Sequence, residues 1–90
     1  MKQLSIQEIL AQMLSELSGV SRASQNTIDA YTRDLNEFIE FCNNREISSF
    51  NRITEKTIRH FVMNLSEKGV TKSTISRKLS ALRRLFNFAL

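Results

Sequence analysis

Residues 69–90, GVTKSTISRKLSALRRLFNFAL, contain Lys72, Arg77, Lys78, Arg83 and Arg84 and not one acid. The first 68 residues carry eight cations against nine acids, and the last 22 carry five cations against none. At about 100° per residue, Ser73, Arg77, Ser80, Arg84 and Asn87 fall on one stripe of a helix. Ile75, Leu79, Leu82, Phe86 and Ala89 form an apolar stripe roughly opposite. Every member of the first stripe donates hydrogen bonds and none is negative. Such a face suits the major groove of a nucleic-acid duplex, where Arg takes guanine bidentately and Ser, Thr or Asn reach bases or phosphates. Thr71, Lys72, Ser73 and Thr74 add hydroxyls and a cation at the helix N-terminus, where unpaired backbone N–H groups already favour an anion. A merely solvated helix face usually mixes Glu with Lys in i,i+4 pairs, and this one does not.

Other chemistry finds little support. His60 is the only histidine and Cys42 the only cysteine, whereas zinc takes three or four ligands, so neither a metal nor any other cofactor is expected. Cys42 falls on an apolar stripe and reads as inert and buried; His60 lies opposite one and reads as solvated. A single cysteine permits no internal disulfide and fits a reducing compartment, so a cytoplasmic location is expected. The longest apolar runs are three residues, too short for a bilayer span or a signal-peptide core. No membrane contact and no small-molecule substrate are expected.

The elements that must position the basic face are helical. Ninety residues make one small domain, and zero Pro with only two Gly leaves few breakers. Ser5 followed by Glu8 has capping-box spacing, and Ile6, Ile9, Leu10, Met13, Leu14 and Leu17 recur at the helical period up to Ser18-Gly19. That apolar stripe either completes the core or docks on another chain. Ser24 caps a second helix with Ile28, Tyr31, Leu35, Phe38, Ile39 and Cys42 on one face, ending at Asn43-Asn44. The connector carries Ile47, Phe50 and Ile53 to pin it down. Thr54 caps a third helix, with Ile58, Phe61, Val62 and Leu65 inward, and Gly69 closes it. Thr71 opens the fourth. The expectation is an all-α bundle of four helices over about 6–18, 24–42, 54–68 and 71–90.

Three segments in this order, SQNTIDAYTRDLNEFIEF (24–41), ITEKTIRHFVMNL (53–65) and TKSTISRKLSALRRLFNFAL (71–90), resemble the SAM-like, core-binding N-terminal domain of tyrosine recombinases, the phage-integrase and Xer-like family. The resemblance covers about residues 4–90. It implies one half of a C-shaped clamp on double-stranded DNA, with the second and fourth helices at the major groove. Carried over by position, it places Asn26, Thr27, Ala30 and Arg33 of the second helix and Lys72, Ser73, Thr74, Arg77, Ser80 and Arg84 of the fourth at the DNA. It makes Ser24 a cap, and Tyr31 and Leu35 core residues.

The resemblance also bears on catalysis. The family's chemistry uses an Arg, a Lys, a His-x-x-Arg pair and a nucleophilic Tyr in a separate C-terminal domain. Here the residue three places after His60 is Met63, and Tyr31 lies on an apolar stripe. The chain is therefore expected to be non-catalytic, a piece of a longer recombinase that self-associates on DNA as a tetrameric synapse. Two other readings stand beside it: a helical protein-interaction module whose basic face meets an acidic partner, and a stand-alone DNA-binding regulator.

Overall fold

Each helix begins at a hydroxyl. The side-chain oxygens of Ser5, Ser24, Thr54 and Thr71 accept from the backbone N–H of the residue three places on, Glu8, Thr27, Thr57 and Thr74, at 3.1, 3.2, 3.3 and 3.3 Å. Such a cap satisfies one of the donors a helix start leaves orphaned, and its loss costs about 0.5–2 kcal/mol. The computed structural model describes residues 4–20 and 22–89. In it these caps open α1 (Ile6–Gly19), α2 (Gln25–Asn44), α3 (Glu55–Glu67) and α4 (Lys72–Ala89). The architecture is the expected all-α set of four, and the predicted end of the last helix at residue 90 falls outside the described residues. Among the described residues no helix is long and apolar enough to cross a membrane.

The stops differ from their prediction in one respect. Gly69 ends α3 at φ 84°, with Val70 N–H bonding to Leu65 O at 3.1 Å and Gly69 N–H to Ser66 O at 3.0 Å. This is the paired 6→1 and 5→2 closure that a left-handed residue permits. The same closure ends α2, through Ile47 N–H to Cys42 O and Glu46 N–H to Asn43 O, but the left-handed residue is Glu46 at φ 61°. The turn after α1 likewise places positive φ at Arg22 rather than at Gly19, which is the last residue of the helix.

The core is common to all four helices. Leu35, Phe38, Ile39 and Cys42 of α2 meet Phe61 and Leu65 of α3 and Ala81, Leu82 and Leu85 of α4. Phe38 and Phe61 pack edge to face with ring centroids 5.1 Å apart. Ile47, Phe50 and Ile53 of the connector pack against this core as expected, with Phe50 edge-on to Phe86 at 5.3 Å. An isolated bridge between Ser5 and Ser49 ties the start of α1 to the same connector.

The burial pattern favours one of the two readings of the α1 stripe and corrects the expectation for α4. The apolar stripe of α1 is consumed inside the domain: Ile6, Ile9, Leu10, Met13 and Leu17 are all buried, and only Leu14 is half-buried. Packed against α2 and α4, the stripe leaves only Leu14 partly open to a neighbour. On α4 the buried line runs through Lys78, Ala81, Leu82 and Leu85, while Ile75, Leu79, Phe86 and Ala89 are only half-buried. The helix is turned from the predicted register because it packs against α1, α2 and α3 together, which buries a wider arc than one apolar stripe.

Candidate nucleic-acid interface

Turning α4 leaves Ser73, Arg77, Ser80, Arg84 and Asn87 exposed along its length, and it brings Arg77 and Ser80 beside α2. There, Thr27, Ala30 and Tyr31 of α2 and Arg77, Ser80 and Ala81 of α4 line an open crevice of about 220 Å³, with Asp34 also in its wall. Four expected contact residues, Thr27, Ala30, Arg77 and Ser80, are thus brought together from two helices. Asn26 and Arg33 are exposed on the same helix as Thr27 and Ala30. Tyr31 is half-buried rather than fully in the core.

The N-terminus of α4 extends this edge. Lys72 and Ser73 are exposed and Thr74 is half-buried, its hydroxyl accepting from Thr71 Oγ1 at 3.1 Å. Thr27 shares its hydroxyl with Ser24 Oγ at 3.0 Å. Arg84 stands seven residues beyond Arg77, about 10 Å along the axis at 1.5 Å per residue. It lines a second groove, about 260 Å³, with Met13, Glu16 and Leu17 of α1. Arg77 and Arg84 therefore occupy two stations, not one pocket.

The sequence pattern alone did not reveal the charge cluster under the crevice. Asp34, with a side chain only 3% exposed, receives Arg77 Nε on Oδ2 at 3.1 Å and Arg77 Nη2 on Oδ1 at 3.0 Å. Lys78 Nζ, buried, bonds to Asp34 Oδ1 at 3.0 Å and to Glu37 Oε1 at 2.9 Å. The helix without acids thus borrows two from α2, and Lys72, Arg83 and Arg84 have no ion pair among the described residues. A signal for the cluster was present. Asp34 is i+3 from Tyr31 and i−4 from Phe38, and Lys78 is i+3 from Ile75 and i−4 from Leu82, so opposite charges interrupt two apolar stripes.

Burial by itself raises the Asp34 pKa, but hydrogen bonds from Lys78 and Arg77 and their charges outweigh it, and the carboxyl is held below its ordinary value. Burial lowers that of Lys78, and the bonds and charges of Glu37 and Asp34 outweigh it, so the ammonium is held above. The Asp34 contribution to stability is complete above the ordinary aspartate pKa of about 3.9 and is lost as pH falls through the lower folded-state value. That of Lys78 is complete below about pH 10.4 and is lost as pH rises through the higher folded-state value. In melting curves, Asp34→Asn is therefore expected to flatten the acid-side fall of Tm; an unchanged acid-side slope would show that the cluster does not couple to folding.

Burial pushes the Cys42 thiol up to about 11, with Arg45 pulling weakly the other way, so it stays protonated at neutral pH. His60 is half-buried rather than solvated, lining a shallow surface pocket with Arg45, Met63, Asn64 and Glu67. Among the described residues no three His, Cys, Asp or Glu side chains are gathered as metal ligands would be.

Residues 10–90 match the family model described as phage integrase, N-terminal SAM-like domain. The chain is 41% identical over 80 residues to a protein of Natranaerobius thermophilus named tyrosine recombinase XerC, covering 88% of this chain and 27% of the relative. It is 38% identical over 77 residues to tyrosine recombinase XerD of Bradyrhizobium diazoefficiens, covering 86% of this chain and 24% of the relative. The chain spans about a quarter of the length of these curated relatives. No solved structure matches it.

Proposed function

The chain belongs to the phage integrase N-terminal SAM-like domain family, and on that premise we propose that it is a sequence-specific DNA-binding domain of a tyrosine recombinase acting in DNA integration and recombination. It seats the α2–α4 edge in the major groove of double-stranded DNA. Thr27, Ala30, Arg77 and Ser80 meet base edges there, with Asn26, Arg33, Ser73 and Thr74 around them, and Lys72 and Arg84 hold the flanking phosphates. The observation that carries the reading is the crevice itself, which joins residues from two helices and whose one acid among the lining residues, Asp34, is buried and already paired. Strand cleavage is assigned to a part of the parent recombinase outside this chain, because Met63 rather than an arginine stands three places after the single histidine, His60. The parent self-associates on DNA, as a tetrameric synapse, in the cytoplasm. The domain requires no cofactor, metal, membrane or small-molecule substrate.

The test begins with selection of a preferred site from a random-sequence duplex library. Backbone and Arg side-chain resonances are then followed as the selected duplex is added. Shifts are expected at Asn26, Thr27, Ala30, Arg33 and the exposed stripe of α4, with α3 silent. Shifts centred on α3 would contradict the reading. Binding of an acidic peptide in preference to duplex would favour a protein-interaction module.

A further inference from the structure

A guanidinium carries five N–H donors arranged as a planar fork. Asp34 takes two of those of Arg77, one from Nε and one from Nη2, in a side-on bidentate pair at 3.1 and 3.0 Å. Three donors remain, two on Nη1 and one on Nη2, and the side chain is 56% exposed. The terminal edge, Nη1 with Nη2, is thus a second parallel pair free to meet two acceptors, the geometry that guanine O6 and N7 present in the major groove.

We propose that Asp34 is a positioning residue that makes Arg77 a reader of guanine rather than a charge for phosphate, by holding one edge of its guanidinium and presenting the other from the α2–α4 crevice. The inference rests on the DNA-binding reading above. Asp34 can serve as a fixed support because it is itself held, buried and bonded to Lys78, which Glu37 holds in turn. An Arg so braced has less rotamer freedom to lose on binding than a free surface Arg, so its contact is preorganised. The carboxylate also places negative charge at the wall of the crevice. A phosphate approaching Arg77 meets it unfavourably while a neutral base edge does not, which is discrimination by repulsion.

A purely structural brace between α2 and α4 predicts a different outcome, and a double-mutant cycle separates the two. Asp34→Asn, Arg77→Ala and the double variant are compared for affinity to the selected duplex and to duplexes with single G·C pairs replaced by A·T. Asp34→Asn is expected to reduce discrimination about tenfold when Arg77 is present and to have no effect on it in the Arg77→Ala background. Ile39→Val, a mild change in the core, should leave discrimination unaltered. A loss equal in both backgrounds, or no loss in either, overturns the proposal. Where Asp34→Asn does not fold, Asp34→Glu keeps the charge and displaces the carboxylate by one methylene. It should show the same loss, and unchanged discrimination overturns the proposal. Equal binding of selected and scrambled duplex by the unaltered chain removes the DNA reading itself, and is seen before any variant is made.

Discussion

Removal of residues 1–18 is expected to abolish cooperative folding. Ile6, Ile9, Leu10, Met13 and Leu17 are all buried against α2 and α4, and each contributes about 1.5–3 kcal/mol by leaving water. Together they amount to as much as the whole net stability of a typical domain, about 5–15 kcal/mol. The deletion also removes Ser5 and with it the bridge to Ser49 that fastens the α2–α3 connector, and it uncovers the faces of α2 and α4 on which α1 packs. Circular dichroism should show far more helix lost than the deleted segment contains, and no sigmoidal melt. A retained cooperative transition would show that α1 is dispensable to the domain, and that its apolar face is free for another chain.

The second large effect divides the cations of α4. Arg77 lies on the crevice beside Thr27 and Ser80, its side chain more than half exposed; Lys72 and Arg84 lie toward the two ends of the helix, unpaired among the described residues. Base contacts specify and phosphate contacts position. Arg77→Ala should therefore cost about 1–3 kcal/mol on the selected duplex and relax its preference there. Arg84→Ala or Lys72→Ala should weaken all duplexes alike and reduce the salt slope of log K by about 0.9 for each phosphate left without its cation. Equal losses on selected and scrambled duplexes for all three would make the helix an electrostatic handle and nothing more. The Asp34 pair sharpens the expectation: the charge of Arg77 is already balanced, so its removal should alter the salt slope less than that of Arg84.

The local structure was largely written in single residues. Ser5, Ser24, Thr54 and Thr71 announce four helix starts because a short hydroxyl side chain can reach a backbone donor three residues on, and all four caps are found. Gly69 announces a left-handed stop. Glu46 does not, because a residue with a Cβ is held at φ 61° by its surroundings, the closure onto Cys42 and Asn43, and not by its own preference.

What depended on tertiary packing was legible only in part. An apolar stripe shows which side of α4 is inward, but not that three helices cover it, so Leu85 and Ala81 were missed among its buried positions. The candidate interface fared likewise. Its exposed stripe could be read from spacing alone, whereas the pairing of Arg77 with Asp34, 43 residues earlier, required the fold. The charges that broke the stripes at Asp34 and Lys78 were visible, but their partnership was not.

The central claim is that the α2–α4 edge reads base pairs rather than charge. It is tested most directly by the affinities of the unaltered chain for the selected duplex and for its scrambled counterpart, measured from low to high salt. Both affinities should fall as salt rises, because phosphate neutralisation is common to the two, while the preference for the selected duplex persists, because contacts to bases release no counterions. Equal affinities at every salt concentration would contradict the account.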